Sequence, residues 1–570
     1  MPLAPRRVND HVTYLNDTTL SQLSKAQQRL SQRIYGKSSN RNDRKVRRLK
    51  ERRQQLFLQI RNRRRELDQA HIERVAHDLQ SSHDTRAIFE FTRVLQKNTS
   101  KRLILIDDDG NELRSAGLKI QAITNFYSSF FQRAGHTPLP EWRGEARPLT
   151  NPVTPYEVKL AAARLRNNRA TPDGLRAEAL KYGGERLHEA LADLFNSVFT
   201  EHKSIPEWKE GILIAINKPA PKKALAANTR PIALLNSYRK LLTLIVHNRI
   251  LPRVLRYLPL SQHAYLPRRS TGELIWTLQF VRSIAERYGE RFVLLQSDLE
   301  KAFDSPNRSQ LMRILEESGC CSEDDLRIIQ FLLADTKLRA RVENHLGPFF
   351  ATLSGIPQGD VLSALLFIIY FAYILDKAAT SLSTTSTGPH DVPLTYADDH
   401  YVVFRESATD ITQRERLDTR IAELIDSGDL ENATHPPECN CVNCCSHRYP
   451  DILSEHLASY SMKMDPTKTK YREITNTDAK LGRVLGYEFE FEALVKSRKR
   501  NADVAFSSLN KLWFKGIAVS EKRKLRIYTA TVLPHFVHTG GAVILRQVDL
   551  DQLDARHRHH LRRLLGVFYP

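Results

Sequence analysis

Two short apolar runs that end or turn at aspartate are the clearest strand-like patterns in the chain. The first, residues 292–297, reads Phe-Val-Leu-Leu-Gln-Ser and stops at Asp298, where a helical pattern begins. The second, residues 394–404, places aromatic and β-branched residues on both sides of the adjacent pair Asp398 and Asp399. Runs of this length and composition predict strands. We therefore expect a buried strand that ends at Asp298 and a β-hairpin that turns at the aspartate pair.

Helical spacing marks other parts of the chain. An apolar stripe with steps of three, four or seven residues predicts a long amphipathic helix near the start; its members are Val46, Leu49, Leu56, Ile60 and Leu67. The apolar run Leu362–Leu375 has only 14 residues. It is too short to span a bilayer and predicts a buried helix instead. Strands and helices together indicate an α+β protein.

Composition shifts divide the chain into four predicted regions. Residues 1–135 form a basic helical N-terminal extension, and the Pro- and Gly-rich residues 136–155 form a linker. Residues 156–495 contain the strands, the aspartates and a Cys-rich insertion at 431–450. Residues 496–570 are helical and basic.

The chain is strongly basic, with 86 Lys and Arg against 65 Asp and Glu, a net charge of +21. Such a balance favours a polyanionic partner. Residues 41–65 concentrate it, with ten Arg and two Lys against one Asp and one Glu. That helix either lies on nucleic acid or is a solvated amphipathic helix docked by its stripe. Neither a secretory signal nor a membrane segment is visible, so we expect an intracellular, nuclear location.

The aspartate pair indicates metal chemistry. Two carboxylates crowded between apolar strands repel each other and cost desolvation energy unless a cation neutralises them. Mg²⁺ is the usual cation beside phosphates. With Asp298 from a neighbouring strand, three carboxylates could hold two Mg²⁺ ions for in-line phosphoryl transfer. For the pair taken alone, an exposed acidic turn is the simpler interpretation.

Three segments in order resemble successive motifs of reverse transcriptases, in the form found in non-LTR (LINE-like) retrotransposons. They are Asp298–Asp304, Gly355–Ser363 and Tyr396–Asp399. Further segments resemble the entry, finger and later motifs of the same family: Asn168–Leu175, Ile205–Lys209, Asn228–Leu235, Asp465–Lys470 and Leu485–Tyr487. The likeness covers roughly residues 150 to 495.

The resemblance implies a fingers, palm and thumb polymerase with an antiparallel palm sheet and a thumb in the C-terminal region. Asp298, Asp398 and Asp399 fall on the catalytic, Mg²⁺-binding positions. Phe303 falls where the family places an aromatic ring against the sugar, which would exclude a 2′-hydroxyl. The other implied nucleotide contacts are Gln358 and Gly359 near the templating pair, and Lys218, Arg230 and Lys468 for the triphosphate. Asp304, despite its proximity, is interpreted as structural.

A cysteine cluster stands outside the family pattern. Cys439, Cys441, Cys444 and Cys445 are dense enough to suggest structural Zn²⁺. The usual second pair of ligands is missing, so a single tight loop would have to supply all four or borrow His435, His447 or His456. A reduced, exposed insertion loop is the alternative.

The expected function is an RNA-directed DNA polymerase that extends a DNA primer on an RNA template with dNTPs. Two alternatives stay open. One is an inactive nucleic-acid-binding remnant of a retrotransposon, and the other is an RNA-copying RNA polymerase, which Phe303 opposes. The family joins an upstream endonuclease to the polymerase through a segment like residues 1–150. Since no such nuclease precedes it here, we expect a truncated element or a partial gene product.

Overall fold

The computed structural model of the 570-residue chain describes a large part of it. The described residues are 17–35, 44–81, 103–107, 109–133, 135–167, 171–218, 224–383, 390–406, 408–426, 442–475, 483–484, 487–510, 513, 520–537 and 545–567. The chain divides into two compact units. The central unit is Arg102–Glu490 with Gly541–Val543, and the terminal unit is Met1–Lys101, Phe491–Gly540 and Ile544–Pro570.

In chain order the described helices are α1 (Thr18–Tyr35), α2 (Arg44–Ser81), α3 (Ala116–Phe131), α4 (Pro155–Arg164), α5 (Ala177–Tyr182), α6 (Glu185–Thr200), α7 (Pro206–Lys209), α8 (Ser237–Tyr257), α9 (Thr271–Tyr288), α10 (Arg308–Glu317), α11 (Glu323–Leu333), α12 (Val361–Ser383), α13 (Ala408–Asp426), α14 (Val442–Ser459), α15 (Phe491–Ser508), α16 (Glu521–Thr531), α17 (Leu533–Val537) and α18 (Gln547–Leu565). The strands are β1 (Glu210–Asn217), β2 (Thr229–Leu235), β3 (Phe292–Ser297), β4 (Lys337–Val342), β5 (His345–Ala351), β6 (His390–Tyr396), β7 (Asp399–Arg405), β8 (Lys470–Ile474), β9 (Arg483–Val484) and β10 (Tyr487–Glu488).

The sheet that carries the aspartates is antiparallel, as predicted for a palm, with strand order β6-β7-β3-β8. β3 pairs with β7 so that Ser297 lies opposite His400. On its other side β3 pairs with β8. The apolar residues of β3 are all but completely buried, and Val293 and Leu295 belong to the main core. Such a continuous apolar run suits a central strand that is covered on both faces.

The long apolar helix of that core is α12, which follows the Gln358–Gly359 motif and extends beyond the predicted run to Ser383. Among the described residues it is the one helix whose length and composition would suffice to cross a membrane. Its most apolar window is 67% buried inside the protein. Phe367, Ile369 and Phe371 are each fully buried in the main core. The apolar character of α12 is thus used in packing within the central unit.

A second sheet has the order β2-β1-β4-β5 and is covered by helix α3. β1 and β4 run parallel, and the outer pairings are antiparallel. Ile123 and Tyr127 of α3 are completely buried against strand residues such as Leu213 and Ala340. Residues 103–133 are therefore part of the central unit, which differs from the predicted boundary of the N-terminal extension.

The predicted linker 136–155 is also packed. The Trp142 ring stacks on Phe331 with 4.9 Å between centroids, and Leu139, Leu149 and Val153 are buried in the main core. Proline and glycine removed the helical and strand signals from this segment. Those residues do not prevent a chain from lying in a groove and burying its apolar side chains there.

The terminal unit contains two groups of helices. α1 and α2 pack against each other, with Leu20 and Ile60 buried and the Arg63 guanidinium 2.8 Å from the Asp17 carboxylate. Ile60 of the predicted stripe is therefore buried where α1 and α2 pack together. The helices α15 to α18 form a cluster whose core includes Phe506, Ile527 and Tyr528.

Candidate active site

The catalytic-type aspartates lie at one end of the antiparallel sheet. β6 and β7 pair up to Tyr396 opposite Asp399, which leaves Ala397 and Asp398 as the turn residues. Ala397 has a φ of +58°, and its N–H donates to Gln262 Oε1 at 3.3 Å. Asp298 follows Ser297, which lies opposite His400, so the register brings Asp298 beside the turn. The predicted hairpin and the predicted strand end are thus confirmed.

The turn end of the hairpin is held by a buried histidine. His400 Nδ1 lies 3.0 Å from Thr395 Oγ1, and His400 Nε2 lies 2.9 Å from the Tyr449 hydroxyl. Burial lowers the pKa of His400 to about 3. A neutral imidazole can donate with one nitrogen and accept with the other, so it links strand β6 to helix α14 without bringing a charge into the core.

The three carboxylates act on one another electrostatically. Burial, followed by the charges of Asp398 and Asp298, raises the pKa of Asp399 to about 7. Burial raises the pKa of Asp398 as well, and the charge of Asp298 adds to the effect. Arg230 and Lys468 oppose the rise at Asp398. A divalent cation would relieve the electrostatic repulsion among such crowded carboxylates.

Lys468 binds Asp298 directly. The Lys468 ammonium forms a short ion pair with Asp298 Oδ2 and lies 3.3 Å from Asp465 Oδ2. The turn that carries it is fixed by Asp465, whose backbone N–H donates to the Asp298 carbonyl at 2.9 Å. Its carboxylate accepts from the Thr467 hydroxyl at 2.6 Å. The Asp465–Lys470 motif therefore lies alongside the end of β3.

The donor set suits a hard cation, although the carboxylates do not already converge on one point. Asp298, Asp398 and Asp399 offer only carboxylate oxygens, which Mg²⁺ prefers. Within the described ranges, no group of three His, Cys, Asp or Glu residues is close enough to hold a metal ion jointly. Asp298 is turned to Lys468. A cation held by these three residues would therefore share the Asp298 carboxylate with Lys468 or take the place of the ammonium.

Phe303 lies in the short 3₁₀ turn Ala302–Asp304, one turn after Asp298. Its ring stacks on Phe367 of α12, with centroids 4.5 Å apart and planes at 25°. The Tyr265 ring meets its edge, with centroids 6.2 Å apart. Phe303 is half-buried and Tyr265 is 50% exposed. The ring of Phe303 is thus supported from behind and has an exposed part.

Gln358 and Gly359 lie where the loop before α12 crosses strand β2. The N–H of Ala233 donates to the Gln358 carbonyl at 2.7 Å. A Cβ on Gly359, whose φ is +124°, would lie 2.5 Å from the Ala233 carbonyl oxygen, so glycine is required here. The Gln358 side chain binds Asp304, with Nε2 3.0 Å from each carboxylate oxygen. Sequence reasoning placed this amide near the templating pair and missed its carboxylate partner.

The start of the same loop rests on a buried arginine. Arg308 is 3% exposed, and its guanidinium donates to the carbonyls of Gly355 and Ser354 at 2.9 and 3.2 Å. Two more short bonds go to the carbonyls of Leu333 and Thr352, each at 2.6 Å. Burial lowers the pKa of Arg308 to about 9. This side chain ties the loop to β5 and α11.

The remaining predicted phosphate contacts lie on the second sheet. Lys218 follows β1 and is half-buried, while Arg230 is exposed on β2, where Ile216 lies opposite it. Burial raises the pKa of Asp304 and of Asp398, and the charges of Lys218 and Arg230, respectively, oppose that rise. Both cations therefore interact electrostatically with carboxylates that lie outside their own sheet.

Lys301 was missed by sequence reasoning. Its backbone is left-handed, with a φ of +48°. Its ammonium lies over the rings of Phe126 and Phe130, 3.8 and 4.5 Å from their centroids. Burial lowers its pKa to about 8. No sequence signal pointed to this contact, since the rings belong to α3, about 170 residues upstream in the chain.

The cysteine cluster is only partly described. Cys439, Cys441 and His435 lie outside the described residues. Cys444 and Cys445 lie in helix α14 rather than in a tight loop, and Cys445 is buried against the main core. The His447 ring packs on Tyr471, and His456 Nε2 lies 2.9 Å from Ser381 Oγ. The expected exposed loop is thus wrong for Cys444 and Cys445, and Zn²⁺ stays a prediction.

Known proteins give independent support for the resemblance. Residues 216–489 match the family described as Reverse transcriptase (RNA-dependent DNA polymerase). This range includes Asp298, Gln358, Asp398, Asp399 and Lys468.

Curated relatives come from transposons. The chain is 22% identical over 339 residues to "Probable RNA-directed DNA polymerase from transposon X-element" of Drosophila melanogaster. The aligned region covers 57% of this chain and 37% of that protein. The chain is 24% identical over 260 residues to "RNA-directed DNA polymerase from mobile element jockey" of the same organism, covering 45% and 28%. It is 24% identical over 275 residues to "Transposon TX1 uncharacterized 149 kDa protein" of Xenopus laevis, covering 47% and 20%.

The chain spans between 20% and 37% of the length of these three relatives. The strands and loops that carry the aspartates, Phe303 and Gln358 all fall inside the family match. The chain therefore carries a reverse transcriptase domain of the non-LTR, LINE-like type.

Proposed function

We propose that this protein is an active RNA-directed DNA polymerase that extends a DNA primer on an RNA template by phosphoryl transfer between the primer 3′-hydroxyl and a dNTP. The observation that carries the proposal is the placement of Asp298, Asp398 and Asp399 at one end of the sheet, inside the reverse transcriptase domain. All three carboxylates are retained, which favours an active enzyme over a silent nucleic-acid-binding remnant.

Asp298, Asp398 and Asp399 would hold two Mg²⁺ ions. When bound, such ions activate the attacking hydroxyl and stabilise charge on the leaving pyrophosphate. The protein side of the reaction is electrostatic. Burial keeps the carboxylates in a low-dielectric site, where their attraction for a cation is strong. Arg230 and Lys218 supply fixed positive charge for the triphosphate, as charge developing on phosphate oxygens requires.

Lys468 has two roles in the proposal. Its ion pair with Asp298 partly neutralises the carboxylates before the nucleotide arrives. When the Asp298 carboxylate binds a metal ion, the Lys468 ammonium would be a charged donor within the same site. It would then donate a hydrogen bond or a proton to the leaving phosphate, which is the role that the resemblance assigns to it.

Phe303 supports DNA over RNA as the product. Its ring is backed by Phe367, so it cannot yield easily to a 2′-hydroxyl. A site that excludes a group by contact with a packed ring discriminates through steric cost. This favours a reverse transcriptase over an RNA-copying RNA polymerase.

The test is primer extension by the purified chain on primed poly(rA) with dTTP, with and without Mg²⁺. Extension that depends on Mg²⁺ and falls at least 100-fold in Asp398→Asn supports the proposal, because loss of a group that acts in the transition state typically costs about that much. Primer–template binding should persist in the variant. Binding without extension by the wild-type chain would favour the remnant, and efficient incorporation of UTP would favour the RNA polymerase.

We further propose that helix α2 contacts the phosphates of the template or target. This helix packs on α1 with Ile60 buried, while Arg48, Arg52, Arg61 and Arg64 are exposed. Each phosphate contact contributes about 0.7 to 0.9 to the slope of log affinity against log salt. Replacing these four arginines by glutamine should therefore flatten that slope by about three units. An unchanged slope would mean that these arginines are solvated and do not contact phosphates.

The terminal helices complete the proposal. The cluster α15 to α18 would form the thumb that grips the primer–template duplex, and a nuclear location would follow from a genomic DNA target. Basic residues on α18 are exposed, including Arg562 and His559. Crosslinking of a photoreactive primer–template to residues 491–567, followed by peptide mapping, tests the thumb assignment.

A further inference from the structure

A buried carboxylate lies behind the loop that presents Gln358. Asp304 is 4% exposed, and both of its oxygens accept from Gln358 Nε2 at 3.0 Å. The backbones touch as well. A Cβ on Gly355, whose φ is +76°, would lie 2.6 Å from the Asp304 carbonyl oxygen. The loop is thus docked on Asp304 through both its main chain and its side chain.

The same contact joins the loop to the turn that carries Phe303. The N–H of Ile356 donates to the Phe303 carbonyl at 2.8 Å, and the N–H of Gly355 donates to the Pro306 carbonyl at 2.9 Å. Gln358 is fixed on its other side by Ala233 of β2. Gln358 is therefore held through its side chain to the turn that carries Phe303 and through its main chain to β2.

An ionised carboxylate can only accept hydrogen bonds. With Asp304 ionised, the NH₂ end of the Gln358 amide must face it, and the amide oxygen Oε1 is directed away from it. Positive charges surround the pair: Lys301 from the same turn, Lys218 at the end of β1 and Arg133 after α3 all lower the pKa of Asp304. Burial outweighs these charges and raises the Asp304 pKa to about 7.

We propose that Asp304 is a positioning residue for nucleotide binding, which acts by orienting the Gln358 amide so that Oε1 accepts a hydrogen bond from the incoming nucleotide. This rests on the proposed polymerase function and goes beyond it, since Asp304 was interpreted as merely structural. The Asp304 carboxylate binds Gln358, and among the described residues no hydrogen bond joins it to Asp298, Asp398 or Asp399. Its effect should therefore appear in nucleotide affinity, and only through Gln358.

A charge-exchange cycle separates this role from a packing role. In Gln358→Glu, two carboxylates face each other, so KM for dTTP should rise at least tenfold at pH 8 while kcat stays within about threefold. In Asp304→Asn, one hydrogen bond and the fixed orientation are lost, so KM should rise several-fold. In the double variant, the new amide at position 304 can donate to one oxygen of the new carboxylate at position 358, which leaves the other oxygen for the nucleotide. We expect KM for dTTP to be at least fivefold lower in the double variant than in Gln358→Glu, since groups in one hydrogen-bonded pair are coupled.

Additive effects of the two substitutions on KM would overturn the proposal. So would an Asp304→Asn variant that binds dTTP normally, or one that loses only urea stability and kcat. Folding is not expected to fail, because Asn removes a buried charge and keeps the shape of the side chain.

The same set of variants can also be compared by nucleotide binding alone, with no extension of the primer. A gel shift measures how dTTP stabilises the complex with a primer–template whose primer ends in a 3′-deoxynucleotide, with Ca²⁺ in place of Mg²⁺. If the wild-type chain fails to extend a normal primer, the proposed function fails. The same cycle in the gel shift then decides the role of Asp304: rescue in the double variant supports it, and additivity or no change in dTTP affinity overturns it.

Discussion

Helix α3 should be indispensable to the reverse transcriptase domain, although the sequence assigned it to an extension outside that domain. Its side chains and the strand-like segment before it cover the sheet β2-β1-β4-β5. Five apolar or aromatic side chains from this segment are at most 8% exposed, namely Leu105, Ile120, Ile123, Tyr127 and Phe131. Lys301, next to the catalytic-type segment, also lies on the rings of α3.

The contribution of this segment to the free energy of unfolding can be estimated from the burial of its side chains. Fully burying a side chain of this size stabilises a fold by about 1.5–3 kcal/mol. Five of them contribute about 7–15 kcal/mol, which matches the whole free energy of unfolding of a typical domain, about 5–15 kcal/mol. A variant that begins at residue 102 should therefore keep a folded central unit. A variant that begins at residue 134 should lose it.

Urea denaturation followed by intrinsic fluorescence checks both variants. A point substitution gives a finer measure: Ile123→Ala should lower the free energy of unfolding by about 2–5 kcal/mol, since it opens a cavity in the core. Ile104→Ala is the matched control, because Ile104 is 47% exposed, and its effect should stay within about 0.5 kcal/mol. Equal urea midpoints for the variants that begin at 102 and 134 would refute this reasoning.

Three further outcomes are expected. Phe303→Val should lower the ratio of kcat/KM for dTTP over UTP by about tenfold or more, because it removes a ring that is packed on Phe367; an unchanged ratio would mean that another group selects the sugar. Arg308→Met should lower the free energy of unfolding by about 2–6 kcal/mol, because the buried carbonyls of Gly355 and Ser354 each lose a donor at a cost of about 1–3 kcal/mol. The control Arg313→Met, on the exposed face of α10, should change the free energy of unfolding little. Without divalent ions, the stability that Asp399 contributes should be lost as pH rises from about 4 to about 7, because Asp399, with a pKa raised from 3.8 to about 7, keeps a proton in the fold that the unfolded chain has lost. The difference in thermal stability between the wild type and Asp399→Asn should therefore change with pH across this window, and a difference that is independent of pH would count against the raised pKa.

The sequence by itself determined the elements that carry the chemistry. An apolar run that stops at Asp298 and a β-branched run that turns at Asp398 predicted a buried strand and a hairpin, since period and composition are local properties of the chain. The family motifs then ordered these elements, and the match of residues 216–489 includes all three of the aspartates. The long basic helix and its apolar stripe were also readable, because helical spacing needs no partner to be recognised.

Tertiary structure alone decided which residues meet. Nothing local showed that Phe126 and Phe130 would enclose Lys301, that Gln358 would bind Asp304, or that Lys468 would bind Asp298. The same holds for the segment 136–155, whose prolines and glycines removed every periodic signal while Trp142 packed on Phe331. These contacts join residues tens to hundreds of positions apart, and they form because each buried charge or ring needs a complementary group that only the folded chain brings within reach.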